Sequence, residues 1–218
     1  HGGGSAQLYF CRQGQDNSSA RAYVLEAEGD QNIVYVEDVV EEYLNIGSDS
    51  WVGAIHYVAD RNVQVYARVY SISADGSSSY GQLIEGIPTV DMSIGFNTPG
   101  YPRTDEDQWL YATKHTSDGR FRVNIGAVNP TAVPTQIFVA VFHQGNTPAL
   151  VHFDLAPFSM HQLSDPFADL NGGDWNNYTI RVEAAADGAG VFGYASVVDN
   201  ATNDAYFIRG VKRMTPDQ

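Results

Sequence analysis

The sequence repeats itself once, and that repeat sets the architecture. Tyr66-Ala67-Arg68-Val69-Tyr70, a polar loop and Leu83-Ile84-Glu85-Gly86 recur in order as Tyr194-Ala195-Ser196-Val197-Val198, a polar loop and Phe207-Ile208-Arg209-Gly210. Upstream, the short turn after Asp38 matches the one after Asp165, and Gln13-Gly14 behind an aromatic strand matches Gln144-Gly145 behind Ile137 to Phe142. Four landmarks in one order define two copies of one unit. Each copy is built from short runs that alternate apolar and polar side chains, as in Val63, Val65, Ala67, Val69 against Gln64, Tyr66, Arg68, Tyr70. Period-two alternation gives strands with one face buried. Further β-branched or aromatic runs, among them Ala22 to Leu25, Ile33 to Val36, Phe121 to Val128, Val151 to Phe153 and Tyr178 to Val182, are separated by Gly, Pro, Asn and Asp clusters. The only helical signals are brief, at Glu37 to Leu44 and Asp165 to Leu170.

These patterns predict an all-β chain of two tandem, immunoglobulin-like antiparallel β-sandwich units. Residues 6–88 form unit 1 and 108–212 unit 2; 89–107, rich in proline and acidic residues, is the boundary, and 213–218 is a tail. Residues 1–5, His-Gly-Gly-Gly-Ser, read as a tag and linker remnant. The copies differ at their starts. Unit 2 opens with strands around Trp109 to Thr113 and Phe121 to Val128, whereas unit 1 begins almost at the equivalent of Ile137 to Phe142. Unit 1 therefore lacks its opening strand or strands and has an open sheet edge, which exposes backbone donors and acceptors. Truncation, a fold-back of Thr89 to Gly100, and a strand donated by a neighbouring chain all account for this; the last makes self-association by strand exchange a candidate.

Charge narrows the partners. Twenty-six Asp and Glu against 12 Lys and Arg give a formal net charge of −14, which opposes phosphate backbones and anionic lipid, so nucleic acid is excluded as a partner. With 43% hydrophobic and 17% charged residues the chain can bury a core. Its longest apolar runs are far short of the roughly 20 residues needed to span a bilayer, so no membrane insertion is expected. The single cysteine, Cys11, follows Leu8-Tyr9-Phe10; it cannot form an intrachain disulfide and reads as a buried small hydrophobe.

Catalytic signatures are missing. There is no G-x-S-x-G elbow, and the many carboxylates sit mostly in turns beside Gly or Asn, so none declares itself as a glycosidase pair. The histidines lack zinc-ligand spacing. Calcium is the cofactor the residue types admit: Asp165, Asp169, Asn171 and Asp174 crowd one loop with hard oxygen ligands, although Asp and Asn also cap turns. A free N-terminal His1 with a second histidine could chelate copper. For binding, Tyr66, Arg68 and Tyr70 on one strand, with Trp109 and Tyr111 on another, form a candidate aromatic platform of the kind that stacks on sugar rings or anchors a surface protein.

The stretches RFRVNIGAVNP, VFHQGNTPALVHFDLAPFSMHQLSD and GVFGYASVVDNATNDAYFIRG resemble modules found in tandem in large secreted or surface proteins of bacteria, often beside peptidase or glycan-acting domains. The resemblance is close over Trp109 to Gly210 and looser over Leu8 to Gly86. It implies exported, non-catalytic, immunoglobulin-like sandwich modules, and it carries no shared ligand or catalytic residue. The expectation is thus a secreted or cell-surface bacterial module acting in surface binding, adhesion or as a spacer. The alternatives are a carbohydrate-binding accessory module of a polysaccharide-active protein, or a copper-dependent polysaccharide oxidase using His1.

Overall fold

A computed structural model describes residues 4–26, 33–43, 52–60, 62–72, 76, 79–94, 107–143, 149–166, 174–185 and 189–212. The fold is all-β, with fifteen strands among these residues, and the second copy is a two-sheet sandwich. One sheet runs β10 (Ala149–Leu155), β9 (Thr135–Phe142), β12 (Trp175–Ala184), β7 (Gln108–His115), β15 (Val211–Lys212). The other runs β11 (Ser159–Leu163), β8 (Phe121–Asn129), β13 (Gly190–Asp199), β14 (Ala205–Arg209). All the pairings are antiparallel. Alternation sends one face of each strand between the sheets. Leu110, Val123, Ile125, Ile137, Val139, Val141, Tyr178, Ile180, Val182, Ala195 and Val197 meet there. Each large aliphatic side chain so buried contributes about 1.5–3 kcal/mol.

In the first copy, β1 (Ser5–Arg12) lies between β2 (Tyr23–Glu26) and β3 (Gly53–Ala59), while β4 (Tyr66–Ile72) pairs with β5 (Ser79–Glu85). These are the neighbours of the second copy without its opening hairpin: β2-β1-β3 corresponds to β10-β9-β12, and β4-β5 to β13-β14. Among the described residues no strand of the first copy corresponds to β7 or β8. Two local expectations change. Ile33 to Val36, expected as a strand, has no regular secondary structure and pairs with no strand among the described residues. The helical signal after Asp38 is one turn, Val39–Tyr43, started by the Asp38 carboxylate accepting from the Val40 and Glu41 amides at 3.1 and 2.9 Å. The boundary segment does not fold back into unit 1 over its described start. Thr89–Asp91 makes a 3₁₀ turn, and β6 (Ser93–Ile94) pairs with β13 at Val191 and Gly190.

The copies meet along β11. Gln13 bridges Met160, and the Gly14 amide donates to the Met160 carbonyl at 3.1 Å. Gly14 takes φ +69°, a left-handed value that glycine adopts without Cβ strain. Asn17 holds the joint. Its Nδ2 donates to the Phe158 and Arg12 carbonyls at 3.0 Å each, and its Oδ1 accepts from the Arg12 amide at 3.1 Å. Phe158 needs this support, because φ +45° is an unfavourable conformation for a bulky residue. Asn17→Ala should cost about 1–3 kcal/mol by leaving these groups unsatisfied. A calorimetric melt checks it, and an unchanged midpoint would show that the joint carries no stability.

The same joint predicts a pH response. His56 stacks on Phe158 with centroids 6.2 Å apart and packs against Tyr9 at 6.0 Å. Burial lowers its pKa from the ordinary value near 6.5, and burial lowers that of His161 as well. Folding therefore favours the neutral rings. Their contribution is intact above about pH 6.5 and is lost as pH falls through the depressed folded values. The carboxylates held below their usual range by hydrogen bonds, Asp16, Asp118, Asp174 and Asp199, act only at lower pH. Melting midpoints should therefore fall between about pH 6.5 and 5, and more weakly so in His56→Phe. Cys11 is buried at the same face, and its thiol is pushed up to about 11, chiefly by burial. Among the described residues no helix is long and apolar enough to cross a membrane.

Candidate functional site

Strand β7 places Leu110 in the core and so turns its neighbours Trp109 and Tyr111 to the outer face of the five-stranded sheet. Sheet register assembles the surroundings. Arg181 of β12 stands opposite Trp109 and also opposite Ala140 of β9, while Thr179 stands opposite Phe142. The Trp109 ring lies 5.6 Å from that of Phe142 and 6.5 Å from that of Tyr111, with interplanar angles of 27° and 15°. Trp109, Tyr111, Phe142 and Thr179 line a shallow depression of about 370 Å³. Tyr111 is 52% exposed, and the apolar surface continues to Phe138 and Leu150. On a sheet face that carries no covering strand among the described residues, such aromatic exposure exceeds what a scattered surface residue would give.

Charge sits at one side of the depression. The Arg181 guanidinium carbon is 5.8 Å from the Phe142 centroid, within cation–π range. Its Nε lies 3.4 Å from Glu183 Oε2 and 3.7 Å from Asp107 Oδ2. Both carboxylates are withdrawn from solvent. Two carboxylates against one guanidinium leave the cluster with one formal negative charge, so it holds Arg181 in position and disfavours anionic ligands. The arrangement offers stacking rings, a guanidinium fork and a Thr hydroxyl, with no nucleophile–base pair among them.

The five-residue platform expected from sequence is divided. Trp109 and Tyr111 belong to the depression, whereas Tyr66, Arg68 and Tyr70 lie on β4 of the first copy, where Arg68 stands 5.4 Å over the Tyr70 ring. Phe142, Thr179, Arg181, Asp107 and Glu183 were not expected there. Strand alternation marks some of them as outward-facing, but the cross-strand register that gathers them is non-local.

The expected calcium loop is described only in part. Asp165 lies 3.2 Å from His115 Nδ1, and Asp174 accepts from the Ser117 amide and hydroxyl at 3.0 and 2.9 Å. Asp169 and Asn171 fall outside the described residues, as does His1. Among the described residues no three His, Cys, Asp or Glu side chains come together as a metal site.

No family model matches the chain, and no curated protein matches it either. A solved structure described as Thermotoga maritima 1070 is similar over 51% of this chain and 97% of its own, at 11% identity and a TM-score of 0.36.

Proposed function

We propose that this chain is a non-catalytic binding module of an exported bacterial protein, and that it holds a neutral polysaccharide on the outer face of its five-stranded sheet. The observation that carries the reading is the cluster of exposed Tyr111 with half-buried Trp109 and Phe142 around a shallow depression, bordered by Arg181 and Thr179. Sugar rings present apolar C–H faces that stack on aromatic rings, and hydroxyl edges that bond to fixed polar groups. The excess of carboxylate beside Arg181 and the net charge of −14 favour an uncharged glycan over an acidic one. Export and bacterial origin rest on the sequence resemblance of 109–210 to tandem surface modules. Electrophoresis through gels containing single neutral or acidic polysaccharides tests the reading. Retardation by at least one neutral polysaccharide is expected; free migration through all of them would end it.

A further inference from the structure

We infer that the glycan is held as an extended chain running along β9, with a second stacking site at Phe138 and His152 beyond the one at Trp109. The inference rests on the neutral-polysaccharide reading of this sheet face and adds the length and shape of ligand that the face selects. Sheet register carries it.

Ile137, Val139 and Val141 of β9 enter the core, so alternation turns Gln136, Phe138, Ala140 and Phe142 to the outer face. On β10, His152 stands opposite Phe138 and Asp154 opposite Gln136. The Phe138 and His152 rings pack with centroids 6.3 Å apart, and Phe138 is 37% exposed. Phe142 belongs to the depression shared with Trp109 and Tyr111. It lies four residues along the strand from Phe138, about 13 Å away. Between the two rings β9 turns outward only Ala140, set between Arg181 of β12 and Leu150 of β10. Alanine is too short to interrupt the surface.

Beyond Phe138 the line ends in polar groups. The Gln136 amide donates to the Asp154 carboxylate at 3.2 Å, and both residues line a second depression, of about 690 Å³, that reaches Gly14 of the first copy. From Phe142 to Gln136 the strand covers about 20 Å. A pyranose ring with its glycosidic oxygen spans about 5 Å on covalent lengths near 1.5 Å, so the line holds about four rings. A disaccharide that stacks at Phe142 cannot reach Phe138. Two stacking sites in line, ending on an amide and a carboxylate, suit a ligand that presents apolar faces and hydroxyl edges in turn along its length. The apolar patch of a protein partner fits less well. It would cover the Asp154 carboxylate, which is costly to bury without a countercharge, whereas sugar hydroxyls donate to it.

Isothermal titration of the intact chain with oligosaccharides of two, four and six rings, cut from one neutral polysaccharide that retards it, reads the length of the site. Affinity should rise at least about tenfold from two rings to four, and less than about threefold from four to six. In Phe138→Ala the gain from two rings to four should shrink to less than about threefold, with a smaller change in the same direction for His152→Ala. Amide shifts at Phe138 and His152 of the unaltered chain, seen with four rings and absent with two, give the same answer without any variant. Equal affinity for two and four rings, a length gain that persists in folded Phe138→Ala, or amides of Phe138 and His152 that stay still with four rings would each overturn the extended site and leave binding at Trp109 standing. Affinities at every length that Trp109→Ala leaves unchanged would instead remove the sheet-face reading, and this inference with it.

Discussion

Gly126→Val is expected to destabilise the protein by about 3 kcal/mol, near the top of the range for overpacking a close-packed buried site. The space a Cβ would take at Gly126 is filled by the ring of Tyr194 on the neighbouring strand, with its Cζ, Cε1 and hydroxyl all inside contact distance. Tyr194 cannot swing aside freely. Its ring packs against Phe207 with centroids 5.4 Å apart, and its hydroxyl donates to Gln162 at 3.1 Å. Displacing the ring loses both contacts, of which the hydrogen bond alone is worth about 1 kcal/mol. In a chain of this size such a loss lowers the melting midpoint by roughly 6–12 °C. The control is a double-mutant cycle. On a Tyr194→Ala background the ring is gone, and Gly126→Val should cost less than about 1 kcal/mol. Equal costs on both backgrounds would remove the ring as the cause.

Trp109→Ala is expected to weaken binding to a retarding neutral polysaccharide by roughly thirtyfold, corresponding to about 2 kcal/mol at a binding hot spot. Trp109 is the ring against which both Tyr111 and Phe142 stack, so its loss removes one stacking surface and a packing partner of two others. Stability should change far less, because its side chain lies outside the core that Leu110 enters. Tyr111→Ala removes a more exposed ring and should give a smaller loss in the same direction. Arg181 is a poor probe of binding. Its removal leaves the Glu183 and Asp107 carboxylates buried without their countercharge, a loss of about 3–5 kcal/mol that would be read first as unfolding. Isothermal titration of Trp109→Ala with an unchanged affinity would place the ligand elsewhere.

Local pattern and long-range pairing divide what was legible. The β-branched and aromatic runs Phe121 to Val128 and Tyr178 to Val182 mark strands, and the structure has strands over both. The same signal in Ile33 to Val36 marks the capacity to pair, and no described strand stands beside it. The repeat predicts a first copy without counterparts of β7 and β8, since that comparison needs only sequence order, and none stands among the described residues. At the candidate site, Trp109 and Tyr111 could be read from residue type and spacing. Joining Tyr66, Arg68 and Tyr70 to them needed knowledge of which strands are neighbours, and β4 and β7 belong to different sheets. Phe142, Thr179 and Arg181 reach the depression through pairing between β9, β12 and β7. Asp174 shows the converse: a carboxylate with the chemistry of a calcium ligand is used to cap Ser117.

Amide and indole chemical-shift mapping of the intact chain, titrated with neutral oligosaccharides from a polysaccharide that retards it, tests the central claim most directly. The account predicts saturable shifts at the Trp109 indole and at the amides of Tyr111, Phe142, Thr179 and Arg181, with β4 of the first copy unaffected. Shifts confined to β4, or none at saturating concentrations of every neutral oligosaccharide, would contradict it.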